Sequence, residues 1–200
     1  EFSRVIFRSQ AEDAAAMVDR VRRVVSRRLI VKLRIGWDED FDFLVRFCRL
    51  LEEAGVQLIT LHPRTAKEKF KRTARWDYVG RLRSELGIPV AGNGDILGAE
   101  DLVRRAAGPC DAVMAGRAAV RAPWIFAEAR ALEGAPPPNY PDSVDLLAAA
   151  EEFLDLLELR QPPEFFESRA KRFFLYYCDN VVWAHHLKTL RLPTFLREHD

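Results

Sequence analysis

The sequence predicts an α/β fold, a parallel sheet built from consecutive strand–helix units and followed by a small all-helical region. Three observations predict it. Short apolar, β-branched runs alternate with amphipathic segments of helical period. The residues that end those runs, Lys32, His62, Asn93 and Gly116, lie 30, 31 and 23 residues apart, a spacing of consecutive βα units. Three prolines at 136–138 then stop the alternation, and only helical patterns follow.

The elements follow in order. Residues 1–10 are open to a short strand or a helix lead-in. From Ala11 a helix is expected with Ala14, Met17, Val18, Val21 and Val25 on one face. Leu29 to Leu33 is expected as a buried strand, and residues 36–39 as a loop. Asp40 is placed to cap a helix carrying Phe41, Leu44, Cys48 and Leu51, closed by Gly55. Val56 to Leu61 is the second strand. A polar loop from His62 to Arg75 follows, longer than the ~2–6 residues usual for such connections, which marks it as functional or mobile. Trp76 to Leu86 is expected as helix and Ile88 to Ala91 as strand. A helix over Ala99 to Ala107 turns Ala99, Leu102, Val103 and Ala106 inward. Asp111 to Ala115 is the fourth strand, and helix runs on to about Leu132.

The proline-rich stretch 135–141 divides a region 1–134 from a helical region 142–200. In the latter, Asp142 or Ser143 caps a helix with Leu147, Ala150, Leu154 and Leu157 inward. Pro162-Pro163 opens another carrying Phe166, Ala170, Phe173, Phe174 and Tyr177, and a third spans about Val181 to Leu190.

Composition bounds the function. The 200 residues are 48% hydrophobic and 30% charged, enough for a core and too apolar for disorder. Net charge is +1, so any nucleic-acid partner must be met by a local patch. Cys48, Cys110 and Cys178 are too scattered for a disulfide framework or a zinc site, and no metal site is expected. No apolar run reaches the ~18 residues of a membrane span. A cytoplasmic chain without membrane contact is the expectation. The chain begins Glu1-Phe2 without methionine, which suggests processing or a fragment.

Ligands of parallel α/β sheets gather at the carboxyl ends of the strands. Lys32 follows an apolar run, where a cation is costly unless paired; it suits either an internal ion pair or a donor to an electron-rich ring. His62, beside Arg64 and Thr65, suits a ligand contact. Gly92, Asn93 and Gly94 suit a tight turn bringing N–H groups to a phosphate, with Asp95 able to orient the loop. Gly116 and Arg117 offer a second phosphate-type turn. The basic loop from Lys67 to Arg75 and the helical patch Arg169, Lys171, Arg172 suit either a solvated face or nucleic-acid phosphates. The pairs Phe165/Phe166 and Phe173/Phe174 fit core better than base stacking.

Six stretches, in order and with matching spacing, resemble the tRNA-dihydrouridine synthases. They are Val31-Lys32-Leu33-Arg34-Ile35-Gly36-Trp37, Leu61-His62-Pro63-Arg64-Thr65, Ala74-Arg75-Trp76-Asp77, Pro89 to Ile96 with its Gly-Asn-Gly-Asp, Val113-Met114-Ala115-Gly116-Arg117, and Pro123-Trp124-Ile125-Phe126. The resemblance implies a partial TIM (β/α)8 barrel, its last four βα units, then the family's helical tRNA-binding domain. It implies FMN as cofactor, NADPH as reductant and a uridine of tRNA as substrate. Lys32 and His62 would touch the flavin ring; Asn93, Gly94, Asp95, Gly116 and Arg117 would serve its phosphate end. Arg34 and Arg64 would lie near flavin or uridine, and Arg169, Lys171 and Arg172 near tRNA. The family's cysteine acid sits in an Asn-x-Gly-Cys-Pro turn upstream of the matching segments, so no catalytic residue is expected within this chain. Pro63 stands where the family usually has glycine.

Half a barrel leaves bare strand edges, so self-association, or a need for the missing N-terminal half, is expected. Two alternatives stand beside the synthase: a flavin- or tRNA-binding relative without the cysteine acid, and another FMN half-barrel oxidoreductase of the dihydroorotate-dehydrogenase kind.

Overall fold

A computed structural model describes residues 11–69, 71–136 and 145–189. The described residues fall into two compact units. The first runs to Ile96 and adds Glu100–Ala115; the second holds Leu97–Ala99 and the residues from Gly116 onward. The 135–141 stretch lies largely outside the described residues, as do residues 1–10.

In the first unit α1 (Ala11–Val24), β1 (Ile30–Gly36), α2 (Phe41–Glu53), β2 (Leu58–Thr65), α3 (Asp77–Glu85), β3 (Val90–Asn93), α4 (Ala99–Ala106) and β4 (Ala112–Met114) alternate along the chain. The strands form one parallel sheet in the order β1-β2-β3-β4. Sequential order without reversal is the winding of a (β/α)8 barrel segment; a doubly wound sheet would switch direction partway across. The fold is therefore α/β with the expected four-strand partial barrel, and the second unit supplies the helical part.

Local chemistry explains the element ends. The Asp40 carboxylate accepts from the Phe43 N–H at 2.8 Å and caps α2, whose far end turns at Gly55 with φ +91°. The outer sheet face carries Ile35, Ile59, Leu61 and Val90, which pack on Leu44, Val45, Cys48 and Leu51 of α2 and Tyr78, Val79 and Leu82 of α3. This core holds the carboxyl ends of the strands in place.

Several expectations change. β1 is not a buried strand: Ile30 and Lys32 are exposed, because among the described residues β1 pairs only with β2. β2 does not end at Leu61. It continues through His62, Pro63, Arg64 and Thr65, all buried, so the polar connection begins at Ala66. The extension is possible because the β1–β2 register slips there. Arg34 pairs with His62 but Gly36 with Thr65, leaving Pro63 and Arg64 opposite Ile35 alone. A bulge is where a strand tolerates proline, which has no N–H for the ladder. On α1, Ala11, Ala14 and Val18 are buried while Met17 and Val21 are exposed. On α4 only Leu102 is buried.

The second unit contains α5 (Arg117–Arg121), α6 (Ile125–Leu132), α7 (Leu146–Arg160), α8 (Pro163–Tyr177), a 3-10 turn at Cys178–Asn180 and α9 (Ala184–Thr189). Asp142 and Ser143 lie outside the described residues; Asp145 caps α7, accepting from Leu147 and Ala148 N–H at 3.0 and 2.9 Å. Leu147 consequently faces solvent, while Ala150 and Leu157 are buried. Pro162-Pro163 opens α8 as expected. Its Phe173 stacks on Phe153 of α7 at 3.7 Å, and Phe174 and Tyr177 complete that core. Asn180 Nδ2 donates to the Arg121 and Tyr177 carbonyls, tying α5 to the end of α8.

Candidate functional site

The register of the sheet decides which side chains meet. Lys32 pairs with Thr60 and Thr60 with Ala91; one step on, Arg34 pairs with His62, and Asn93 with Met114. Side chains alternate across a strand and align between parallel neighbours. Lys32, Arg34, Thr60, His62 and Asn93 therefore share the inner face, opposite the core that Ile35, Leu61 and Val90 build. Three separately predicted site residues, Lys32, His62 and Asn93, share one face of the sheet; Asn93 ends β3, whereas Lys32 lies within β1, which runs on to Gly36, one inward-facing position before the Arg34–His62 pair.

His62 is 6% exposed. Burial, followed by the positive charges of Arg34, Lys32 and Arg64, pulls its pKa down to about 4, with Asp95 opposing them. The imidazole is neutral at neutral pH. Lys32 is exposed, and its pKa is lowered by partial desolvation and then by Arg34. Arg34 reaches across β2 and donates to the carbonyls of Thr65 (3.1 Å) and Lys69 (3.0 Å), bracing the connection that follows.

Arg64 is buried, 3% exposed, with each nitrogen committed. Nε donates to the Arg72 carbonyl, one terminal nitrogen lies 3.1 Å from His62 Nε2, and the other is 2.5 Å from the Asp95 carboxylate. Asp95 sits at φ +53° after the Gly94 turn and also accepts from Ala74 N–H at 2.6 Å. Burial disfavours its charge, but the Ala74 N–H and the Arg64 guanidinium outweigh that and lower its pKa. Arg64 and Asp95 thus bind the ends of β2 and β3 and the 66–75 connection to one another.

The glycines of the β3 turn have packing duties. A Cβ on Gly92 would lie 2.2 Å from the Trp76 ring, and one on Gly94 2.9 Å from His62. The Trp76 Nε1–H donates to the Gly94 carbonyl at 3.0 Å, and Arg105 lies over the indole at 4.6 Å. Asn93 Nδ2 donates to the Met114 carbonyl at 2.7 Å and joins the tips of β3 and β4. The role of Trp76 escaped sequence reasoning. Its signal was the Trp76-Asp77 pair upstream of the Gly92-Asn93-Gly94 stretch.

A cleft of about 420 Å³ adjoins the 66–75 connection and is lined by residues including Trp37, Lys67, Lys71 and Arg72. Arg75 bridges Glu68 (2.6 Å) and Glu39 (2.9 Å), and Lys67 pairs with Asp38. Glu68 has its pKa lowered to about 2, chiefly by the hydrogen bond from Arg75.

Gly116 and Arg117 belong to the second unit, where Gly116 precedes α5 and Arg117 opens it. A Cβ on Gly116 would meet nothing within 4 Å. In that unit Arg169, Lys171 and Arg172 are exposed along α8; Lys171 pairs with Glu167 at 2.5 Å, and Arg169 lies over the exposed Phe165 ring at 5.4 Å. Phe173 and Phe174 are core, as expected, whereas Phe165 is not. Cys48 and Cys178 are buried and burial raises both thiols, Cys48 to about 12; the Cys110 thiol donates to the Arg105 carbonyl. No group of residues suited to a metal occurs among the described residues. No helix of the described residues is long and apolar enough to cross a membrane.

The chain is similar to several known proteins. It is 31% identical over 179 residues to "Probable tRNA-dihydrouridine synthase 1" of Synechocystis, covering 86% of this chain and 48% of that protein. It is 40% identical over 114 residues to a "Probable tRNA-dihydrouridine synthase" of Mycobacterium tuberculosis, covering 56% of this chain and 29% of that protein. A protein of the same description from Rhizobium leguminosarum is 31% identical over 150 residues, 74% of this chain and 45% of the relative. The matches thus span about half or less of the relatives' length. The dihydrouridine synthase (Dus) family model matches residues 7–181. This chain belongs to the dihydrouridine synthase family.

Proposed function

We propose that this chain is the flavin- and tRNA-binding portion of an FMN-dependent tRNA-dihydrouridine synthase of the cytoplasm, which reduces a uridine of tRNA with NADPH as reductant. The observation that carries the reading is the inner-face group of Lys32, Arg34, His62 and Asn93 on neighbouring parallel strands, in a chain matched by the family model over most of its length.

The residues fit a flavin. Two cations and a neutral imidazole on one face suit an electron-rich, partly anionic ring edge. Lys32 and His62 would hold the ring, and Asn93, Gly94 and Asp95 would form the turn at its phosphate end; for Gly116 and Arg117 the phosphate role rests on the family likeness alone. Bound FMN would supply the redox chemistry, with the protein orienting it. Arg34 and Arg64 contribute from within the wall: their guanidiniums hold carbonyls, carboxylate and imidazole in place, supporting the face a ligand meets. The exposed cations Arg169, Lys171 and Arg172, in the helical region from 142 onward, would meet tRNA phosphates, assisted by Lys71 and Arg72 beside the cleft. Cys48 and Cys178 are buried, and burial raises both thiols.

The test is dihydrouridine formation. Intact protein incubated with tRNA and NADPH should convert uridine to dihydrouridine, read by mass spectrometry of the digested nucleosides, and the purified protein should carry flavin absorbance lost on Arg117→Ala. No dihydrouridine from any tRNA, in protein that retains flavin, would favour a binding relative over an enzyme.

A further inference from the structure

We propose that Arg64 is a positioning residue that locks His62 as the neutral, Nδ1-protonated imidazole, with Asp95 and the 66–75 connection holding the guanidinium in place. The inference rests in part on the reading above, because it concerns the residue assigned to the flavin ring.

The geometry settles the direction of the hydrogen bond. A guanidinium carries five N–H donors and no acceptor, so the 3.1 Å contact between Arg64 and His62 Nε2 requires Nε2 to accept. The proton of a neutral imidazole then resides on Nδ1. The guanidinium itself has little freedom: Nε is committed to the Arg72 carbonyl and the second terminal nitrogen to Asp95. Asp95 is held in turn by Ala74 N–H. Gly94 completes the arrangement, since a side chain there would press on the imidazole. Lys32, Arg34 and Arg64 face His62 with positive charge and Asp95 with negative charge, and the balance disfavours a second proton.

The chemical consequence is specific. The single ring proton of His62 rests on Nδ1, and the Nε2 lone pair is engaged by Arg64. A neutral imidazole held this way has no imidazolium proton to give up and is excluded as the proton source of the reduction. The lock also couples the ring-binding residue to the connection, because the Arg72 carbonyl and Ala74 N–H are two of its anchors.

The experiment uses intact protein labelled with 15N-histidine and freed of flavin, followed by long-range 1H–15N correlation from pH 5 to 8. The signal of His62 is assigned with a His62→Asn variant. The expected result is the Nδ1–H pattern for His62, unchanged across that range. In Arg64→Met the pattern should shift towards the Nε2–H form, and a titration should enter the range. An Nε2–H or doubly protonated His62 in the unsubstituted protein overturns the proposal, and that outcome does not depend on whether Arg64→Met folds. The same pattern without titration in Arg64→Met overturns it as well.

FMN affinity gives a second readout. Arg64→Met should weaken binding by about tenfold, the scale of one charge-assisted hydrogen bond, and adding His62→Asn should weaken it no further. Additive losses would overturn the coupling. If the unsubstituted protein binds no FMN, the flavin reading fails, while the NMR result still decides the lock.

Discussion

Removing the charge of Asp95 would leave the Arg64 guanidinium buried against an imidazole and a carbonyl with no compensating anion. Breaking one side of such a pair costs more than the pair contributes. Asp95→Asn should therefore destabilise the first unit by about 2–3 kcal/mol, the lower range because Asp95 is partly exposed, read as a lower urea midpoint. Gly92→Ala should cost about 1–3 kcal/mol by driving a methyl into the Trp76 ring. Combined with Trp76→Ala, the same glycine substitution should cost almost nothing further; equal costs in both backgrounds would refute the contact. These residue-scale assignments were only partly legible in the sequence. The types and spacing of Lys32, His62 and Asn93 pointed to the strand tips; the register puts them on one face, but β1 runs on past Lys32 to Gly36. Nothing local disclosed that Arg64 spends its donors inside the protein or that Gly92 makes room for an indole. Both depend on neighbours 12 or more residues away or on the exact path of a bulge.

At the scale of elements, ion pairs hold the described residues of the connection after β2. Glu68 sits between Arg75 and the Thr65 N–H. Its folded pKa of about 2 lies below the ordinary 4.5. A depressed carboxylate pKa stabilises the fold above the unfolded value and loses that contribution as pH falls from 4.5 towards 2. The stability difference between wild type and Glu68→Gln should therefore be greatest at neutral pH and shrink across that window in acid unfolding. A difference constant with pH would contradict the role. Asp40→Ala should cost about 1 kcal/mol through loss of the α2 cap. That cap was readable because capping is local, and so was Pro163 at the start of α8. The end of β2 was not. A histidine, a proline and an arginine in succession look like loop, and only the slipped register with β1 lets them continue as buried strand.

Over the whole molecule, the periodic strand spacing was the strongest signal, and the sequential parallel sheet matches it. The same sheet presents an edge. β1 pairs on one side only among the described residues, and Met17, Val21, Val24 and Ile30 leave apolar surface exposed near it in sequence. Unpaired strand edges and apolar patches favour association. The 200-residue chain expressed alone should sediment as dimers or larger species; a single monomeric boundary at micromolar concentration would contradict this. Burial of α1 and β1 was overestimated from sequence because apolar residues indicate which surface wants cover, not whether cover is present.

The most direct measurement is the affinity of the intact, flavin-free protein for FMN, followed by quenching of flavin fluorescence, in wild type, Lys32→Met and His62→Asn. The shared inner face predicts tight binding in the wild type and a loss of about tenfold or more in each variant. Unchanged affinity in both variants would contradict the claim that these strand ends hold the flavin.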